Sequence, residues 1–183
     1  RRQRQMCIRD RSTAILLSIA ISGCSLLSNG EKQKPQTPPK TPAASEKIAE
    51  SEVTIYEVTD DFLKVRPLKI RVTTGDDLHL AALRRAISYD RNKKYPVCPE
   101  NLSVTSVTVS DGVAVADFSK ELSNLENSAT AEELFTALVV NTLTEFPDVK
   151  EVKFLQEGAP VTKLSGHSDM TRTLTRNELI IRK

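Results

Sequence analysis

The side chains able to carry chemistry are few. The chain holds two histidines, His79 and His167, and three thiols, Cys7, Cys24 and Cys98. Adjacent carboxylates stand at Asp60-Asp61, Asp76-Asp77 and Glu132-Glu133. A general acid and base must converge on one reacting atom, whereas each of these pairs reads more simply as a turn or a helix start. Neither histidine stands at ligand spacing from a second imidazole or thiol, so no metal site is expected. His167, in Gly166-His167-Ser168-Asp169, reads as a turn residue, and Asp117, before Phe118 and Ser119, as the cap of the turn that follows a strand. No Gly-x-Ser-x-Gly elbow and no phosphate-cradling glycine loop occurs. Catalysis and a bound cofactor are therefore not expected.

Cys24 has a clearer chemical setting. An apolar run over residues 14–21 follows a basic head. Spanning a bilayer takes roughly 20 apolar residues, about twice this run, so it reads as the core of a secretory signal. Ile21-Ser22-Gly23-Cys24 closes it and resembles the bacterial lipobox, an aliphatic and two small residues before a cysteine. That resemblance implies a diacylglyceryl group on the Cys24 thiol, cleavage before it by a signal peptidase that recognises Ile21, Ser22 and Gly23, and an N-acyl group on the new amine. A thiol is the nucleophile such chemistry needs, and several acyl chains anchor stably at about 0.8 kcal/mol per buried methylene. The expected location is extracytoplasmic, on the outer face of the cytoplasmic membrane or on an outer membrane. Ser25 lacks the aspartate that retains some lipoproteins at the inner membrane, which leans toward the outer one where a cell has two. Cys98 is then a lone thiol, inert rather than redox-active, and a disulfide framework is not expected.

Residues 1–11 do not fit a signal head, with Asp10 among the arginines and no initiating methionine, and the stretch from Met6 to Ser12 resembles adapter-derived sequence. They are set apart from fold reasoning. Five basic residues and one acid precede Cys24; from there on, 21 basic residues face 23 acidic ones. A net charge near −2 gives no general excess of cations to displace counterions from phosphates, so a nucleic-acid partner is excluded. Residues 24–52 begin with the lipidated cysteine and continue with Pro35, Pro38, Pro39 and Pro42 among polar side chains. Such a segment cannot bury enough surface to fold, and reads as a spacer averaging about 30 Å end to end.

A folded domain is expected over residues 53–183. β-branched residues predict a strand over 53–59. In the next segment the alternation changes phase at Pro67, which suggests an edge strand or a bulge. Asp76 and Asp77 open a helix carrying Leu80, Leu83 and Ile87 on one face. The loop over 89–101 gathers Arg91, Lys93, Lys94 and Tyr95, a candidate surface for an anionic polymer or lipid headgroup, although a solvated loop is the commoner explanation. Asp111-Gly112 between two valine-rich runs predicts a hairpin. Thr130 with Glu133 suggests a capping box for a second helix that Pro147 ends. A strand over 149–155 and a turn at Glu157-Gly158 follow.

The order of these elements, with Pro67-Leu68-Lys69-Ile70-Arg71-Val72, Leu80-Ala81-Ala82-Leu83, Asp111-Gly112-Val113-Ala114-Val115-Ala116-Asp117-Phe118-Ser119 and Asn141-Thr142-Leu143-Thr144-Glu145-Phe146-Pro147, resembles the sporulation and spore germination family, the GerMN domain. The resemblance runs from residue 53 to about residue 176. It implies an α/β, two-layer α+β sandwich, a small mixed sheet with two helices on one face, related to ring-building envelope modules. It implies no catalytic residue. One departure is the basic loop after Ser88-Tyr89-Asp90, where the family has a Gly-Pro turn. The expected role is a non-enzymatic envelope module that binds another protein or a second copy of itself; a peptidoglycan-binding or wall-processing accessory is the alternative.

Overall fold

The computed structural model describes residues 49–74 and 77–183. Strand β1, Ala49–Val58, begins four residues before the position expected from β-branching, and pairs antiparallel with β2, Val65–Thr74, over its whole length. The turn between them is built by Thr59, whose amide and hydroxyl both donate to the Lys64 carbonyl, at 2.9 Å each. It carries Phe62 at φ 55°. Helix α1, Leu78–Arg91, follows, then β3, Val104–Ser110, and β4, Val113–Phe118. A 3-10 turn at Lys120–Asn124 leads to α2, Ala129–Leu143, and β5, Glu151–Gln156. Two short strands, β6 at Ala159–Pro160 and β7 at Leu174–Thr175, pair with the two ends of β5.

The architecture is α/β, as expected, but the strands form two sheets. β1 and β2 are a separate ribbon, while β3, β4, β5 and β6 lie in that order with β7 also on β5. The β3–β4 hairpin is antiparallel, and β4 runs parallel to β5. Parallel neighbours need a long crossover, and α2 supplies it. The division has a local cause: the outer edge of β1 is occupied by side chains. The Tyr56 amide donates to Thr142 Oγ1 of α2 at 2.9 Å, and Lys93 donates to the Val58 carbonyl. Pro67 lies on the outer edge of β2, in phase with Val65, which bridges Ile181 in parallel. A residue without an amide hydrogen belongs on such an edge.

α1 buries Ala82, Leu83, Ala86 and Ile87 and exposes Arg84 and Arg85. Its N-cap is Asp77, which accepts the His79 amide at 2.8 Å. Asp76 lies outside the described residues. The second helix starts earlier than the sequence suggests. Ser128, not Thr130, is its N-cap, accepting the Ala131 amide at 3.4 Å. α2 is buried on nearly every side, not along one stripe, because it touches the ribbon, α1 and the five-stranded sheet. Phe135 of α2 meets Phe118 of β4 and Phe154 of β5 with ring centroids 6.0 and 6.3 Å away, and these two are 5.3 Å apart. Aromatic rings of this size dominate core energetics and favour such tilted contacts.

Candidate functional site

The segment that departs most from its expected character is the loop after α1. Asp90, fully buried at the end of that helix, accepts the amides of Val97 and Cys98 on one carboxylate oxygen, at 2.9 and 2.8 Å. Lys93 donates its own amide to the Asp90 carbonyl at 2.9 Å. The loop is thus wound around a buried carboxylate, and residues 97–99 are themselves buried.

This winding divides the four residues read as a binding loop. Lys93 turns inward, its Nζ 2.8 Å from Glu57 Oε2 on β1. Glu57 also receives Arg66 Nε at 2.5 Å. Burial pushes the Glu57 carboxyl up, but the hydrogen bonds and charges of Lys93 and Arg66 outweigh it and hold the group below the usual glutamate range. Arg91 donates to the Leu102 carbonyl at 3.3 Å. Lys93 and Arg91 therefore serve the fold, the first because an isolated buried carboxylate is costly. Lys94 and Tyr95 remain at the surface, the ammonium 5.0 Å above the ring, and Tyr95 lies 6.3 Å from Phe62.

The other chemical candidates are dispersed. Asp61 accepts the Thr59 hydroxyl at 2.6 Å and pairs with Arg182; these bonds, with the Leu63 amide, lower its carboxyl to about 2. It belongs to a turn, as expected. His79 places Nδ1 2.8 Å from Asp77 and Nε2 3.1 Å from Asp148, and its ring lies 4.4 Å from that of Phe146 at a tilt of 42°. It thereby ties the start of α1 to the segment after α2, a link that spacing in the sequence does not reveal. Asp117 does not cap the turn that follows β4; its carboxylate accepts the Gly158 amide at 3.0 Å, because the parallel register brings the β5–β6 turn beside it. Cys98 is free and buried; burial first, then the neighbouring Asp90 charge, raises its thiol well above the usual range. A thiol so placed is a poor nucleophile. Among the described residues no three metal-ligating side chains converge.

Glu132 stands in the first turn of α2, as expected, but has a further role. It is fully buried, and one oxygen accepts the Ser165 amide at 2.9 Å, the Ser165 hydroxyl at 2.6 Å and the His167 amide at 3.2 Å. Burial raises its carboxyl, yet the Ser165 and His167 bonds lower it on balance to about 2. His167 does lie in a turn, and its ring meets Asn127 at 3.2 Å. The final segment is pinned again where Asn141 of α2 exchanges hydrogen bonds with the Asn177 backbone, at 3.1 and 3.0 Å. Arg176 completes the contact, 2.6 Å from Glu145 and stacked 5.1 Å from the Tyr56 ring. Burial and the Glu145 bond push the Tyr56 hydroxyl up to about 12. The sequence signals only the polar residues on the inward side of α2.

Cys24 and its neighbours Ile21, Ser22 and Gly23 lie outside the described residues, as do Cys7 and the proline-rich segment. No helix among the described residues is long and apolar enough to cross a membrane.

This order of elements, with a parallel β4–β5 pair crossed by α2 and a β1–β2 ribbon beside it, can be set against known proteins. A family model described as sporulation and spore germination, Germane, matches residues 42–162. The chain belongs to that family. Its fold is similar to the tandem GerMN domains of the sporulation protein GerM from Bacillus subtilis, with TM-score 0.59 and 21% identity, covering 69% of this chain and 46% of that one. It is also similar to the first GerMN domain of the same protein, with TM-score 0.54 and 20% identity, covering 69% of this chain and 98% of that one. The chain therefore spans about half of the tandem GerMN structure and nearly all of the single domain. At such identity the likeness concerns the fold. The curated proteins contain no match. The GerMN family is not known for an enzymatic activity. Residues 163–183, which carry Ser165, Arg176 and Asn177, fall beyond the part its model matches.

Proposed function

We propose that the chain is a lipid-anchored module of the cell envelope that acts without catalysis, its GerMN domain binding another envelope protein or a second copy of itself. The observation that carries this reading is the order along the chain: a lipobox-like Ile21-Ser22-Gly23-Cys24 stands 18 residues before the start of the family match at residue 42. An acylated Cys24 would hold the domain outside the cytoplasm on a long tether. The domain's own polar groups support the non-enzymatic part. Its buried carboxylates, Glu57, Asp90 and Glu132, accept backbone amides or ion pairs that fasten loops, Asp90 and Glu132 through one oxygen each.

The experiment has two arms. Labelled fatty acid should enter the native chain and not the Cys24→Ala variant; equal incorporation into both would overturn the anchor. Cross-linking in native membranes should recover a defined protein partner or a dimer of the chain. Recovery of purified peptidoglycan instead, with no protein partner, would replace the assembly role by a wall-binding one.

A further inference from the structure

Charge is unevenly distributed along the sequence of the folded domain. Residues 62–94 hold nine basic and three acidic side chains, a formal +6, whereas residues 49–61 and 95–183 hold eight basic and eighteen acidic ones, a formal −10. The positive segment is β2, α1 and the start of the loop; Glu50, Glu52 and Glu57 of the adjoining β1 pair with Arg71, Lys69 and Arg66 of β2, which leaves Lys64, Arg85 and Lys94 as cations with no carboxylate partner among the described residues. Arg71, Arg84 and Arg85 line one cleft; Arg66, Arg85 and Lys93 line the next together with the carboxylates of Glu57 and Asp60, and Arg85 and Ser88 are common to both. Of the three acids in the segment, Asp90 is buried.

Exposed apolar side chains border the same surface. Among the described residues the large exposed hydrophobics are Leu63, 66%, Tyr89, 39%, Tyr95, 61%, and Leu179, 86%. All four gather around the β1–β2 turn. Leu63 sits in the turn, and Tyr95 approaches Phe62 there. The Leu179 carbonyl accepts Lys64 Nζ at 2.6 Å, and Tyr89 lines the cleft of Asp60 and Arg66.

The geometry points to this face as a docking surface for an anionic lipid bilayer, with Arg85, Lys64 and Lys94 over the headgroups and Leu63, Tyr95 and Leu179 entering the interface. Basic residues near an anionic leaflet attract it, and tyrosine favours the depth where one end of the ring is wet. A solvated polyanion would satisfy the arginines but offers the exposed leucines nothing, which is why the bilayer is the occupant chosen. Reach is sufficient: the 24 residues from 25 to 48 span at most about 80 Å, against about 33 Å for ten residues of β1. The inference rests on the lipid-anchor reading for that reach alone.

The test uses the full chain carrying Tyr95→Trp, the sole indole because the natural chain has no tryptophan. It is incorporated into phosphatidylcholine vesicles with brominated acyl chains, with or without phosphatidylglycerol. Quenching of the indole is expected with phosphatidylglycerol and not with phosphatidylcholine alone, and high salt should reverse it. Arg85→Glu combined with Lys94→Glu should weaken it by roughly tenfold or more, and Leu63→Ser should reduce it at unchanged charge, both with the circular dichroism of the parent. Vesicles that float with the protein while the indole stays bright would overturn the docking face and leave the anchor standing. Equal quenching in neutral lipid would overturn it too, as would a soluble polyphosphate, purified cell wall or an acidic protein claiming position 95 in place of lipid. A chain that fails to float with neutral vesicles would count against the anchor; quenching by added phosphatidylglycerol vesicles would then still support the docking face, and none would overturn it.

Discussion

Lys93 places its ammonium 2.8 Å from the buried carboxylate of Glu57, which joins the loop after α1 to the far half of β1. The Glu57 side chain is 3% exposed, and its second partner, Arg66, is 52% exposed. Only Lys93 shields the charge from inside.

Lys93→Met should therefore destabilise the domain by about 3 kcal/mol, because it leaves a buried carboxylate with one solvated partner. Adding Glu57→Leu should recover most of that loss. Urea midpoints of the two single variants and the double variant measure both effects, and a double variant no more stable than Lys93→Met would show that the pair is not coupled.

Acid should unfasten the segment held by Glu132. Its carboxyl lies at about 2 in the fold against an ordinary 4.5. A lowered value means that the ionised form stabilises the fold, fully above the ordinary value and progressively less as pH falls toward 2. Glu57 is shifted in the same direction. Urea unfolding followed from pH 5 downward should show a falling limb, and Glu132→Gln should flatten it while lowering stability near neutral pH.

Asp90→Ala removes the acceptor of two buried amides, those of Val97 and Cys98. Unpaired buried amides cost about 1–3 kcal/mol each. The Cys98 thiol reports the result independently: it should resist alkylation in the native protein and react faster in Asp90→Ala, under conditions where both remain folded by circular dichroism.

Gly112 holds φ +81° in the β3–β4 turn, and its carbonyl receives the Lys150 and Glu151 amides at 2.7 and 3.1 Å. Gly112→Ala should cost about 1–2 kcal/mol from the left-handed backbone alone. Asp111→Asn, at φ 52°, should be nearly neutral because asparagine tolerates that region. Thermal melts of the two variants separate the cases.

What the sequence makes legible follows the range of its signals. The Asp111-Gly112 hairpin, the α1 stripe of Leu83 and Ile87, and the Glu157-Gly158 turn are decided within a few residues, and the structure has them all. The α2 start is ambiguous in the sequence because Ser128 and Thr130 are both good caps and only packing selects between them. The inward turn of Lys93 could not be seen, since Glu57 lies 36 residues away on a strand that reads as ordinary. The same holds for Glu132, whose partners arrive from residues 165–167, and for the split sheet, which depends on Thr142 and Lys93 reaching β1 from distant segments. Local chemistry set the elements; the roles of the buried charges were settled only by tertiary contact.

The parallel pairing of β4 with β5 gives the two flanks of β4 different contact ranges. The β3–β4 hairpin closes across two residues, whereas β4 meets β5 only across the long segment that carries the crossover helix. During folding, the flank of β4 that meets β5 is therefore expected to close later than the flank that meets β3. Contacts distant along the chain close slowly, so this interval is where the nascent domain is most exposed to pairing with a neighbour's strand instead of its own.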